Sequence, residues 1–221
     1  MKAQTDISGL LNEAAEWRLL GLMFECPIGD WYVNVKQLSK EVKDKKLKAA
    51  AAFALDEACE GLYHSIFGPG GPCPSREVSY RSWVQPGFLL SELSVFYKAF
   101  SFSPKTDEVP DHISVEAGFI AYLKLKEAFA LESRMTDEAA ITADASRRFI
   151  EQHLSKMAEK LSKTLAYSEM KYLIAAGEAL FERVGKDPDG EVKRTLPVLP
   201  RVEDEEMLCA DGGDDLGLMA A

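Results

Sequence analysis

Apolar residues recur at steps of three and four along most of the chain, the period of a helix with one buried face. The first such stretch predicts a helix over about residues 7 to 25, which Pro27 and Gly29 end. A second stretch, from Val42 to Ile66, predicts one or two more helices. Gly68 to Pro74 then forms a loop that is too rich in glycine and proline for regular structure.

Two prolines mark predicted helix starts, because proline lacks the amide hydrogen that the first turn of a helix leaves unused. Pro86 predicts a helix through Phe100, and Pro110 predicts one that runs to about Ser133. Asp111 falls in the predicted first turn of the second helix, where the positive end of the helix dipole favours a carboxylate.

Thr136 is the predicted N-cap of a long helix that continues to Leu165, and Ser168 is the predicted N-cap of a last helix that Gly185 ends. The alternation of apolar and polar residues that indicates a half-buried sheet is not sustained anywhere in the sequence. We therefore expect an all-α fold, a single-domain helical bundle of six or seven main helices.

The sequence after residue 185 changes in character. Prolines separate short polar pieces there, and residues 201–221 carry seven acidic side chains against one arginine. Such a segment has little apolar surface to bury. The expected organisation is a helical domain over residues 1–185 followed by a flexible acidic C-terminal tail over residues 186–221.

Charge and hydropathy exclude several classes of protein. The 221 residues include 36 acidic and 26 basic side chains, a net charge of −10, which argues against binding to nucleic acid or anionic lipid. No apolar run approaches the roughly 20 residues that cross a bilayer. The N-terminus has no apolar segment typical of a secretory signal, so the expected location is the cytoplasm, without stable membrane insertion.

Motifs that carry catalysis or bind cofactors do not occur in the sequence. Phosphate-binding glycine loops and the nucleophile elbow GxSxG are absent. The histidines and cysteines have no spacing typical of metal ligands: they are His64, His112, His153, Cys26, Cys59, Cys73 and Cys209. We therefore expect no enzyme activity, no metal and no cofactor.

The unusual residues concentrate between Glu108 and Glu116. Each has an ordinary structural interpretation: Pro110 begins a helix, Asp111 is a carboxylate at the helix start, and His112 is a surface or capped histidine. Together they place two acids and an imidazole at a proline-fixed turn beside an aromatic-rich helix. The hypothesis is an open, hydrogen-bonding pocket that accepts a cation.

The order of these residues resembles the signature of the TorD/DmsD/NarJ family of redox-enzyme maturation chaperones. The matching pieces are Glu108-x-Pro110-Asp111-His112, Glu116-x-x-Phe119, Phe149-x-x-x-His153-Leu154 and Tyr80-Arg81-Ser82. The resemblance covers about residues 10 to 185. It implies a cytoplasmic, all-helical, non-enzymatic chaperone that binds the twin-arginine leader and the apo form of a molybdopterin-containing catalytic subunit until its cofactor is inserted.

Two finer expectations come with the resemblance. The sequence Val78-Ser79-Tyr80-Arg81 is similar to the branch that serves enzymes of the type II dimethyl-sulfoxide-reductase kind. Members of the family exist as monomers and as domain-swapped dimers, and either state is expected.

The chemistry of a twin-arginine leader fits the candidate residues. Two guanidinium groups need carboxylates or carbonyls, and the apolar stretch that follows them needs an apolar groove. We expect carboxylates of the 108–116 segment to serve the first need and aromatic side chains to serve the second. The predicted peptide-binding residues are Pro110, Asp111, His112, Glu108, Glu116, Tyr80, Trp83 and Phe88.

Two alternatives stay open from the residues alone. One is a helical metal-dependent hydrolase that uses Asp111, His112 and Glu116. The other is a structural subunit of a redox complex, which would present a strongly apolar helix face to its neighbours.

Overall fold

A computed structural model of the protein describes residues 7–188, and within this range the architecture is all-α, as predicted. The helices are α1 (Ile7–Met23), α2 (Trp31–Glu41), α3 (Lys45–Glu57), α4 (Glu60–Phe67), α5 (Pro86–Ala99), α6 (Ile113–Glu132), α7 (Thr136–Phe149), α8 (Ser155–Leu165) and α9 (Lys171–Val184). A short 3-10 turn, Glu77–Tyr80, precedes α5. One antiparallel bridge joins Arg76 to His112.

A π turn over Ile150–Leu154 connects α7 to α8 without a break, so the two form the single long helix that the sequence predicts. Helix α2 was not expected from the sequence. Its core-facing residues are Trp31 and Val35, one turn apart, and this pair is too short a pattern to establish a period. The Trp31 indole N–H anchors the helix by donating to the carbonyl oxygen of Leu22 at 2.7 Å.

Three helix starts differ from the sequence prediction: α6 and α9 begin later, and α7 begins one residue earlier. Helix α6 begins at Ile113 with His112 as its N-cap, and Pro110 lies in the preceding turn, outside the helix. Asp111 is therefore not a first-turn residue. Thr136 is the first residue of α7 rather than its cap. Ser168 lies before α9, where its hydroxyl accepts from the Met170 amide at 3.3 Å.

Helix α6 lies at the centre of the packing, with α1 on one side and α7 on another. Gly21 of α1 allows a close approach, since a Cβ there would lie 3.2 Å from the backbone oxygen of Ser114. Helix α9 packs against α3 and α8. None of the helices within residues 7–188 combines the length and the apolar character that a bilayer span requires.

An aromatic cluster around Phe119 of α6 fastens α5 and α7 to the core. The Phe119 ring lies 4.8 Å from the ring of Phe149 and 4.9 Å from that of Tyr97. Three more rings contact it: Phe96, Phe100 and Phe102. Most of these pairs meet edge to face, the geometry that the ring quadrupole favours.

The predicted domain boundary at residue 185 lies next to the end of α9 at Val184. Asp187 still contacts the body through an ion pair with Lys156 at 2.5 Å. Residues 189–221, the greater part of the predicted tail, and residues 1–6 lie outside the described range.

The substitution Phe119→Ala should lower the free energy of unfolding by about 3–5 kcal/mol, because it removes the centre of the aromatic cluster and leaves a cavity. Phe129→Ala is the matched control on the same helix, since the Phe129 side chain is 65% exposed. It should change the stability by less than about 0.5 kcal/mol. Urea denaturation measures both, and equal effects would contradict the central role of Phe119.

Candidate functional site

The segment Ser75–Arg81 is bonded to the turn that precedes α6. The Glu77 amide donates to the carbonyl oxygen of Asp111 at 2.8 Å, and the Ile113 amide donates to that of Ser75 at 2.9 Å. Backbone hydrogen bonds in both directions therefore hold these two segments together, although they are distant in the sequence. The carboxylates and imidazoles of the candidate site lie around this junction.

The carboxylate of Asp111 is fully buried, and its bonds are internal. Its Oδ1 accepts from Arg76 Nε at 2.9 Å and lies 2.9 Å from Arg76 Nη2, while Oδ2 accepts from the Val78 amide at 3.4 Å. A charge-assisted pair of this kind is strong where water is excluded. Asp111 thus ties the 3-10 turn to the start of α6.

Glu77 makes a second buried connection, from the 3-10 turn to the π turn. Its Oε1 accepts from Arg81 Nη1 at 2.9 Å, and its Oε2 accepts from the ring N–H at Nδ1 of His153 at 3.0 Å. His153 belongs to the π turn, a local widening of a helix that is frequent at functional sites. His153, which belongs to the sequence pattern of the chaperone family, is therefore a hydrogen-bond partner of the buried Glu77 carboxylate.

Glu116 is the third buried carboxyl group. Among the residues that the structure describes, no N–H or hydroxyl group donates to its oxygens, and its side-chain contact is with the carboxylate of Glu77. Burial raises its pKa well above the ordinary 4.5, and the negative charges of Glu77 and Asp111 raise it further. Glu116 therefore keeps its proton to a higher pH than an ordinary glutamate. The protonated form adds no negative charge to a cluster in which Arg76 and Arg81 already compensate Asp111 and Glu77.

His112 caps α6 and also contacts the buried Tyr63. Its Nδ1 accepts from the Ser114 amide at 3.2 Å, and its Nε2 lies 3.4 Å from the Tyr63 hydroxyl. Glu108 accepts from the same hydroxyl at 3.4 Å. Burial lowers the pKa of His112, which favours the neutral imidazole.

The predicted site residues therefore fall into two groups. Asp111, His112 and Glu116 are buried, and the expectation of an open pocket at this turn is wrong, because Arg76 and the adjoining helices enclose it. The other residues reach the surface. Pro110, Trp83 and Phe88 are exposed, and Glu108 and Tyr80 are half-buried.

This burial also bears on the hydrolase alternative. Asp111 is bonded to Arg76, and His112 uses Nδ1 for the cap of α6. These two side chains do not present free atoms to a common metal ion, and the geometry gives the hydrolase mechanism no support at this turn.

The side chains of Glu77, Asp111 and Glu116, with their bonded partners, form a buried network. A solvent-accessible groove between α5 and the α7–α8 helix lies next to it. One part has a volume of about 520 Å³ and is lined by Arg81, Glu92, Val95, Phe96, Glu151, Gln152, His153, Lys156 and Pro188. A second part, of about 530 Å³, shares Val95 and Phe96 with the first. Arg81 and His153 connect the buried carboxylates to this groove.

The second part of the groove is mostly apolar. Its lining residues are Val95, Phe96, Ala99, Phe100, Ala140, Ile141, Asp144, Ala145 and Arg148. Val95 and Ile141 are large exposed apolar side chains, and neither is among the predicted peptide-binding residues. Helical periodicity places Phe88, Glu92 and Val95 of α5 on one face, which is distinct from the face of the buried Leu89 and Leu93.

Trp83 has an unusual conformation in the loop before α5. Its side chain is 87% exposed, and its φ is 65°. A left-handed backbone is strained for a bulky residue, and such strain often occurs at functional sites. Trp83 is thus an exposed aromatic ring held at a strained position.

The substitution Glu116→Gln should stabilise the protein increasingly as the pH rises. In the unfolded chain Glu116 ionises near its ordinary pKa of 4.5, whereas in the folded protein the pKa is well above this value. The wild type therefore loses stability between these two pKa values, by up to about 1.4 kcal/mol per pH unit, and the glutamine variant does not. Urea denaturation between about pH 5 and 8 measures the difference.

Glu159→Gln is the control for this experiment, because a hydrogen bond from Lys163 lowers the pKa of Glu159. Glu159 is ionised in both states over the same pH range, so its removal should give a difference that stays constant. A constant difference for Glu116→Gln as well would show that Glu116 is charged in the folded protein.

A comparison with protein families gives one match. The model of the family described as nitrate reductase delta subunit matches residues 35–163, more than half of the chain. This range contains Arg76, Glu77, Asp111, Glu116 and His153, the residues of the buried network. A search of curated proteins finds no match. The chain belongs to the nitrate reductase delta subunit family, a family of chaperones that assist the maturation of molybdoenzymes, as the resemblance predicts.

Proposed function

We propose that the protein is a cytoplasmic, system-specific chaperone for a molybdopterin-containing oxidoreductase subunit. It binds the twin-arginine leader and the apo form of this subunit, assists cofactor insertion and assembly, and releases the subunit for export. The observation that carries the proposal is the groove between α5 and the α7–α8 helix, which combines an apolar wall with exposed carboxylates.

The apolar wall suits the apolar stretch of a leader. Val95 and Ile141 are exposed on the two helices that border the groove, and Phe96 contributes to both of its parts. An amphipathic peptide helix buries its apolar face in a groove of this kind. Phe88 lies on the same face of α5 as Val95 and extends the apolar surface toward the start of the helix.

The carboxylates suit the arginines of a leader. Glu92 lines the groove with a largely exposed side chain, and its carboxylate lies 3.7 Å from Arg81. A guanidinium group in the groove can form a two-pronged pair with such a carboxylate. Glu151 adds a second acidic group. It forms an ion pair with Arg147, which does not line the groove.

The buried network holds two of the groove-lining side chains, Arg81 and His153, in place. Glu77 holds Arg81 and His153, and Asp111 holds the segment that carries both Glu77 and Arg81. We therefore assign Asp111, His112 and Glu116 an indirect role, in which they position the groove without touching the peptide. Trp83, Phe88 and Tyr80 remain predicted contacts of the peptide, as do Glu108 and Pro110.

We propose the class of the client enzyme from two observations. The sequence Val78–Arg81, which favours a type II dimethyl-sulfoxide-reductase-like client, forms most of the 3-10 turn above the buried carboxylates and ends at Arg81, which lines the groove. The family description names nitrate reductase, and an enzyme of that class is a candidate.

The substitution Val95→Asp should weaken the binding of a synthetic twin-arginine leader peptide by at least about tenfold, because it places a charge in the apolar wall. Val33→Asp is the matched control: both valines are exposed in helices, at 69% and 53%, and Val33 does not line the groove. Fluorescence anisotropy of a labelled peptide gives the affinities, and circular dichroism verifies the fold of both variants.

A second peptide, in which glutamines replace the two arginines, should bind more weakly to the wild type. If the wild type binds neither peptide, the leader-binding function is refuted. If it binds the leader and Val95→Asp and Val33→Asp behave alike, the peptide site lies elsewhere on the protein.

A further inference from the structure

Three side chains with different metal-binding groups meet at the surface between the end of α1 and the start of α4. The thiol of Cys26, a carboxylate oxygen of Glu60 and a ring nitrogen of His64 all lie within 4.8 Å of one another. None of these residues belongs to the buried network or to the groove. They form a separate cluster with no assigned role.

The backbone brings the three residues together from two elements. Cys26 lies in the turn after α1, where its carbonyl oxygen accepts from the Ile28 amide at 2.8 Å. Glu60 and His64 are one turn apart on α4, with His64 Nε2 3.8 Å from Glu60 Oε1. Residues at this spacing lie on one face of a helix, which suits two ligands of one metal ion.

The distances are close to those of a tetrahedral metal site. Zinc binds sulfur at about 2.3 Å and nitrogen or oxygen at about 2.0–2.2 Å, so the ligand atoms of a tetrahedral site lie roughly 3.3–3.7 Å apart. The cluster must contract by about 1 Å to reach this size. Because the side chains of Glu60 and His64 are largely exposed, rotation about their side-chain bonds can supply this contraction.

The ligand types decide which ions fit. A thiolate, an imidazole and a carboxylate favour Zn²⁺ and related divalent transition metals, whereas Mg²⁺ and Ca²⁺ prefer oxygen ligands alone. Glu60 and Glu108 place negative charge near Cys26. This acidic setting favours a dication.

We propose that Cys26, Glu60 and His64 bind a divalent transition metal of the zinc type, with water as the fourth ligand. The metal fixes α4 to the end of α1. Tyr63, next to His64, contacts Glu108 and His112 of the turn before α6, so the bound metal also stabilises this contact. The site is independent of the proposed leader groove.

The test uses the full-length reduced protein and Co²⁺ as a spectroscopic probe. Titration should produce an absorption band of thiolate-to-cobalt charge transfer that saturates at one equivalent, that Zn²⁺ displaces, and that Mg²⁺ leaves unchanged. The substitution Cys26→Ser should abolish the band. Glu60→Gln and His64→Gln should weaken metal binding by at least about tenfold.

Cys59→Ser is the matched control, because Cys59 is an exposed thiol next to Glu60 and outside the cluster. Its band and affinity should equal those of the wild type. The absence of a thiolate band in the wild type, a band that persists in Cys26→Ser, or equal losses in Cys26→Ser and Cys59→Ser would each overturn the proposal. If Cys26→Ser does not fold, His64→Gln decides the question, because its side chain is largely exposed.

Discussion

The structure depends on the burial of three carboxyl groups, Glu77, Asp111 and Glu116, beside the start of α6. A buried carboxylate is costly unless an opposite charge and hydrogen bonds compensate it. Arg76 and Arg81 supply the charges, His153 supplies a ring N–H, and the raised pKa of Glu116 favours its uncharged form. These partners come from the 3-10 turn and the π turn. These contacts join three chain segments, and the groove lies beside their junction.

The sequence predicted most of the fold, because long helices with a periodic apolar face are a strong local signal. The family pattern also identified the important turn, but its interpretation as an open pocket was wrong. Asp111 pairs with a residue 35 positions away, and Glu77 pairs with one 76 positions away. No local pattern reveals such partners. A charged residue without a visible partner therefore looks exposed in the sequence, although the fold buries it.

Dependence on distant partners also explains why the sequence predicted neither the groove nor the cluster of Cys26, Glu60 and His64. The buried face of α5 was predictable from Leu89 and Leu93, but whether its other face is covered depends on elements far along the chain. Cys26 has no metal-ligand spacing with any other cysteine or histidine, and only the packing of α4 brings His64 beside it. Binding surfaces and ligand sets are properties of tertiary structure, and the residue types alone name only candidates.

The π turn between α7 and α8 sets the orientation of the side chains on α8. Each residue of a regular helix advances the direction of the side chains by about 100°. The wider turn at Ile150–Leu154 therefore determines which face α8 presents to α9, as well as directing His153 inward. Loss of one residue here would rotate the whole of α8, whereas many replacements of single side chains would leave its direction intact. The length of this stretch is thus under tighter physical control than the identity of most of its residues.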